Sequence, residues 1–457
     1  MKLTKRRSHL LIRFQIFGST SSLELLGKSC VYLDQNCILR TGVYHECKPD
    51  SRLEEAELEV ALKNGHVDSV RALLGQGLDA NLKDANGETP LLQATRQGHF
   101  DIVQELLAHG ADIKMADKTD DTPLHIASRN GHLRIVNELL AHGLSVEIRH
   151  ANANTPLHMA SSRGRYLVAK ASLAHAASIS SPNQNGNMPL DNAAANGSLE
   201  IVKALLALGC ALNVKNAMGK TPLHEAAHFG HLQVFNELVA DEADLDAKDN
   251  NLNTPLLTAT WCEHSNIVHH LLTRGITEHE RNEFSSTQLH EASRNGQVKT
   301  VEQLLAHGAR VDIANNDGFT SLHWAASNGH TVIVKVLLDH GAPVDTVNAN
   351  RDTPLHLAAE NAKVEFVHEN DPSVNSMKKT LNFGRVIAST NRQVDVLQLL
   401  LDARAKRLLR NKDGKTARDL ANDDVQAWFE NYQEMANKQR QQRVSHLFKA
   451  KERSQIL

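Results

Sequence analysis

A tetrad, Thr-Pro-Leu-His or a near relative, returns every 33 residues along this chain and leaves little room for a single conventional core. It begins at Thr89, Thr122, Thr155, Met188, Thr221, Thr254, Thr287, Thr320 and Thr353. One period earlier, Ala56–His66 (AELEVALKNGH) reads as a degenerate copy. The next match after Thr353 is Thr416, 63 residues on, which is one period and a further 30 residues. The extra segment falls at about 362–391, between the end of one helix at Asn361 and the helical pattern that resumes at Arg392.

Elementary chemistry accounts for the unit. In residues 122–154 the Thr122 hydroxyl can cap a helix, and Pro123 suits its first position, where no backbone N–H bond is lost. Leu124, Ala127 and Ser128 form the small-residue face of a short inner helix, and Gly131 turns the chain with positive φ. Leu133, Val136, Leu139 and Leu140 then recur as the buried stripe of an outer helix that ends at Gly143. Neither helix can bury its apolar face alone, so each unit must stack on its neighbours.

The unit TPLHIASRNGHLRIVNELLAHGLSVEIRHANAN resembles the ankyrin repeat, with TPLH, then A-x-x-G-H, then I-V-x-x-L-L-x-x-G. The resemblance covers about 56–421 and implies an all-α solenoid of helix-turn-helix units with short β-hairpin-like loops. It also implies a protein–protein interaction scaffold or adaptor that binds a partner protein on its concave face, as a regulatory subunit or a secreted effector. The expected organisation is an N-terminal segment 1–55, poorly ordered; repeats over 56–361; an insertion 362–391; the end of the array with a capping half-repeat, 392–424; and a basic C-terminal helix, 425–457. Unit 155–187 has a weak outer helix, AKASLAHAAS, and reads as a soft point in the stack.

Composition agrees with many thin layers, because apolar residues reach 41% while aromatics make up only 4%. A net charge of -3 gives no global reason to expect nucleic-acid binding. Nine Lys/Arg and six Asp/Glu lie in residues 1–55, seven and six in 416–457, which leaves the middle mildly acidic. Cys30, Cys37, Cys47, Cys210 and Cys262 are odd in number and form no C-x-x-C, so reduced thiols are expected. No apolar run approaches the roughly 20 residues of a membrane span. Residues 1–23 carry five basic side chains and no acid; Arg13 interrupts their apolar stretch, which favours a disordered basic start over a targeting signal. A monomer in the cytoplasm is expected, with a secreted effector in a host cytoplasm, or a nuclear protein, as alternatives.

Histidine is abundant at 26, but seventeen occupy three fixed places in the repeat. His224-Glu225-Ala-Ala-His228 fits the zinc-protease pattern H-E-x-x-H, the alternative reading of the chain as a metal-binding protein or enzyme. The tetrad itself dictates His224, so only Glu225 and His228 arise independently, and neither metal nor cofactor is expected. No P-loop, G-x-G-x-x-G or G-x-S-x-G is present, and the non-repeat segments are too short to form an enzyme domain, so catalysis is not expected.

Binding must use positions that the stack leaves free, the loop tips and the outward ends of the inner helices. Most such residues are small or polar. The middle of the array departs from this with Met218, His228, Phe229, Trp261, Cys262, Phe284, Arg294 and Phe319, and with Trp324 nearby. Aromatic and Arg side chains dominate binding hot spots, which makes this strip the candidate site. The alternative is that the tryptophans pack between units.

Overall fold

The computed structural model describes residues 29–33, 39–43, 51–275, 280–362 and 392–432. The chain divides into two compact units, residues 1–112 and 113–457. In the first, an antiparallel pair of strands, β1 (Ser29–Leu33) and β2 (Leu39–Val43), precedes the helices α1 (Ser51–Asn64), α2 (Val67–Gly75), α3 (Pro90–Gln97) and α4 (Phe100–Ala108).

The second unit alternates short inner helices with outer ones in an all-α stack. The inner helices are α5 (Pro123–Asn130), α7 (Pro156–Ser162), α9 (Pro189–Asn196), α11 (Pro222–Phe229), α13 (Pro255–Trp261), α15 (Gln288–Arg294), α17 (Ser321–Ser327) and α19 (Pro354–Asn361). The outer ones are α6 (Leu133–Ala141), α8 (Tyr166–Ala174), α10 (Leu199–Ala207), α12 (Leu232–Ala240), α14 (Ser265–Thr273), α16 (Val298–Ala306), α18 (Thr331–Asp339) and α20 (Arg392–Asp402). The short helix α21 (Ala417–Leu420) follows, and residues 423–432 form a last helix whose Val425 and Phe429 are buried. The basic residues expected to extend that helix lie outside the described residues, as do residues 363–391.

Each inner helix starts as the tetrad demands. Thr155 sits in extended conformation and its hydroxyl accepts the His158 N–H, while Pro156 takes the first helical turn. The His158 ring answers: Nδ1 accepts the Thr155 backbone N–H at 3.2 Å and its hydroxyl at 2.8 Å. Accepting at Nδ1 places the ring proton on Nε2, which donates at 3.0 Å to the Asn187 carbonyl, where the chain enters the next unit at Met188. His125, His224, His290 and His323 repeat this geometry onto the carbonyls of Asn154, Asn253, Phe319 and Asp352, always 29 residues ahead. His356 reaches Lys415, 59 residues ahead, so 30 extra residues intervene inside this unit.

The buried stripe of α6 is Ile135, Val136, Leu139 and Leu140; Leu133 is only half-buried, because the first turn of the outer helix leans towards solvent. In α8 the stripe shrinks to Val168, Ala169 and Ser172, and the buried Ser172 hydroxyl has no partner where α6 places Leu139. Ser172 therefore replaces apolar contact with an unsatisfied polar group.

Asp191 stands where the neighbouring units place histidine. Its Oδ2 accepts the Met188 N–H at 2.7 Å, while its buried Oδ1 has no partner, so the bridge to the next unit is missing. Burial pushes this carboxyl up to about 7.

Burial pushes His158, His290 and His323 down to about 4. Groups depressed in the folded state contribute stability that is complete above their ordinary value of 6.5 and is lost as pH falls towards 4. Asp191 acts in the opposite sense, with stability lost as pH rises through 7. Thermal melts should therefore show stability rising from pH 4.5 to 6.5, by on the order of 2 kcal/mol per histidine. The rise should flatten in His323→Gln; an unchanged slope in that variant would count against the bridge.

Candidate protein-interaction site

The loop tips and inner-helix ends of the second unit carry the candidate strip. The candidate tips are built on Asx turns. The Asn216 Oδ1 accepts the backbone N–H groups of Met218 and Lys220, both at 3.0 Å, and the Asn282 Oδ1 accepts those of Phe284 and Ser286 at 3.0 and 2.9 Å. The tip carbonyls are also used: Asn250 donates its N–H to Met218, and Asn316 to Phe284, each at 3.0 Å. With the backbone committed on both sides, the side chains of Met218 and Phe284 project outward, 65% and 58% exposed.

The inner helices end just beneath these tips. Gly230 terminates α11 with φ of +76°, and a Cβ there would meet the His264 ring at 2.5 Å. That ring lies against the glycine because its Nε2 donates to the His228 carbonyl at 2.9 Å. The close approach fixes the helix end and leaves Phe229 half-exposed; Trp261, at the end of α13, is 54% exposed.

The other candidates form a connected group. The Cys262 thiol lies 3.2 Å from His228 Nδ1. Burial raises the thiol and lowers the imidazole, so the pair is a neutral S–H···N hydrogen bond rather than a thiolate beside an imidazolium. The Arg294 guanidinium lies over the Trp324 ring at 4.7 Å and over Trp261 at 5.8 Å. Phe319 is half-buried, with its ring 4.7 Å from that of Trp324, so this end of the strip is partly packed. Trp261 remains open to solvent, whereas Trp324 is half-buried between its neighbours.

Sequence reasoning missed Leu252, which sits at a tip with φ of +60° and is 47% exposed. A leucine at positive φ is unusual and carries no sequence signal of its own. Also missed is a groove of about 290 Å³ in the first unit, lined by Leu58, Leu62 and Pro90 with Glu59, Asp84 and Glu88 among its acids.

The repeat histidines divide into three classes of backbone partner. Tetrad rings reach forward to the next unit, as above. Those that follow the glycine reach back: His231 donates to Ala195, and His330 to Arg294, each at 3.0 Å. His99 is an exception in that class, its buried Nε2 having no partner. The third class, His109, His142, His175, His307 and His340, does not bridge units; Nδ1 bonds the carbonyl four residues back in its own outer helix. His224 belongs to the first class and is fully buried, with Nδ1 accepting from Thr221 and Nε2 donating to Asn253. Its lone pair is already in use, and the Glu225 carboxylate accepts from Asn216 at 3.2 Å, so the H-E-x-x-H residues are not arranged as a metal site. Among the described residues no group of three or more His, Cys, Asp or Glu is placed to hold a metal ion.

His224→Ala should accordingly cost about 2 kcal/mol of stability, as the loss of a buried, doubly bonded ring would, whereas His228→Ala should cost little. Chelator should leave the melting temperature of the wild-type chain unchanged. A chelator-induced drop that His224→Ala abolishes would restore the metal reading.

The family model for ankyrin repeats in three copies matches residues 58–150, 146–216, 190–282 and 289–378. Among solved structures, the crystal structure of the human ASB11 ankyrin repeat domain is 30% identical, with a TM-score of 0.46, and the match covers 49% of this chain and 99% of that one. Comparison with curated proteins gives no match. Among the described residues no helix is long and apolar enough to cross a membrane.

Proposed function

We propose, from the premise that this chain belongs to the ankyrin-repeat family, that it is an interaction scaffold whose partner protein docks on the tips and inner-helix ends between Met218 and Trp324. Ankyrin repeats are generally protein–protein interaction modules and are typically not enzymes. The observation that carries the finer reading is the exposure of Met218, Phe229, Leu252, Trp261 and Phe284 on consecutive repeats of one unit, in a chain with 4% aromatics. Large apolar side chains that stacking does not require are retained where something else covers them. The face has its polar backbone satisfied, so a partner can bury these side chains without stranding N–H or C=O groups.

His224 and Glu225 of the H-E-x-x-H stretch are committed to hydrogen bonds within the stack, which favours a regulatory or recruiting role. Cys210 and Cys262 are free thiols, which fits a reducing compartment, with the cytoplasm as the first choice.

Affinity capture from cell lysate with the full chain as bait, followed by mass spectrometry, supplies the partner. The combined variant Phe229→Ala and Trp261→Ala should weaken that partner at least about tenfold while the helical circular-dichroism signal is kept. Undiminished binding would move the site to another face.

A further inference from the structure

Arginine stands seven positions after the first tetrad residue in three units, at Arg96, Arg129 and Arg294. In two of them the residue just before the tetrad is an acid that neutralises it. Arg96 pairs with Glu88 at 2.6 Å, and Arg129 with Asp121 at 2.5 Å. In the third unit that residue is Ser286, which carries no charge. Arg294 has no ion-pair partner among the described residues and is held by the two tryptophan rings.

A guanidinium stacked on aromatic faces keeps its N–H donors in the plane, directed away from the rings. Stacking also lowers the entropy lost when those donors meet a ligand, because the long side chain is already ordered. The acid beside it is Glu291, one helical turn earlier; its carboxyl is buried with Oε2 unpartnered and makes no ion pair with Arg294. It is buried, burial pushes it up, and Arg294 and the Ser286 hydroxyl pull it only partly back. Glu283 and Asp317, exposed at the adjoining tips, make no ion pair with Arg294. The result is one preorganised cation without an ion pair, held over Trp261 and Trp324. Its complement is a single carboxylate within an apolar stretch; a run of acids would meet Glu283 and Asp317.

We infer that Arg294, clasped between Trp261 and Trp324, anchors a side-chain carboxylate of the partner, an Asp or Glu flanked by bulky apolar residues. This rests on the reading of the same face as the docking site.

The test uses random 12-residue peptides displayed on phage and selected on the full chain. The enriched peptides are synthesised with their acid and with the matching amide, then titrated against four proteins. These are wild type, Arg294→Gln, the pair Ser286→Glu with Glu291→Gln, and the pair Phe229→Ala with Trp261→Ala. The pair Ser286→Glu with Glu291→Gln copies the Glu88, Gln93 and Arg96 arrangement of the earlier unit and should draw Arg294 back into an internal ion pair.

Enriched peptides should carry Asp or Glu beside aromatic or aliphatic residues. Acid-to-amide exchange should weaken wild-type binding about tenfold or more, and Arg294→Gln should weaken the acidic peptide equally. The two changes together should cost no more than either alone. The internal ion pair should produce the same loss with unchanged circular dichroism. An acid-to-amide effect that persists in Arg294→Gln, or enriched peptides that lack an acid, overturns the carboxylate anchor; a loss confined to Phe229→Ala with Trp261→Ala then leaves the docking face intact. Failure to enrich any sequence, or indifference to all the variants, overturns both.

Discussion

The stack depends on one small object, a neutral imidazole that closes its own helix with Nδ1 and holds the next unit with Nε2. Inner helices of seven or eight residues are too short to persist alone, so what fixes their first turn must also fix their neighbour. The tetrad histidine does both, because its two nitrogens differ. The backbone N–H of the preceding Thr dictates which one keeps the proton, and that proton points at the carbonyl ahead. A charged ring would have a second donor facing a donor, which is one reason that burial and hydrogen bonding agree on the neutral form. Leu92 and Leu257 replace the ring with an apolar group and lose the bridge, whereas Asp191 keeps half of the network and leaves one buried oxygen unpartnered.

The same economy explains why a chain rich in histidine and carboxylate offers so little apparent chemistry. Tetrad rings serve the carbonyl just before the next tetrad, His231, His264 and His330 serve the unit behind, and rings at the outer-helix ends serve their own carbonyls. Glycines such as Gly230 give the post-glycine rings room to approach. We propose that function falls to side chains with no part in this network: the exposed tips, the ends of α11, α13 and α15, and one arginine without the ion pair that its counterparts keep.

Most of the fold was legible because the period is strict and each tetrad residue has a local task, from the Thr cap to the Pro at the first turn. Less legible was how the outer helix meets the core. The pattern points to Leu133, but the buried position is Ile135, since the stripe depends on how the helix tilts against its neighbours. In the candidate site, the exposure of Met218, Phe229, Trp261 and Phe284 was legible, because their repeat positions lie outside the stack. Leu252 was not, because nothing marks a leucine as a tip residue at positive φ. Nor was the state of Arg294, since spacing alone cannot show that Ser286 withholds a counter-charge and that two rings separated by 63 residues enclose the guanidinium.

The bridge at the centre of this account is directly observable by long-range proton–nitrogen correlation NMR of the histidine rings, with assignments from single His→Gln variants. His158, His290 and His323 should appear as neutral rings with the proton on Nε2 at pH 7, and should stay so down to about pH 5. Tetrad rings that carry the proton on Nδ1, or that are already charged at pH 6, would contradict it.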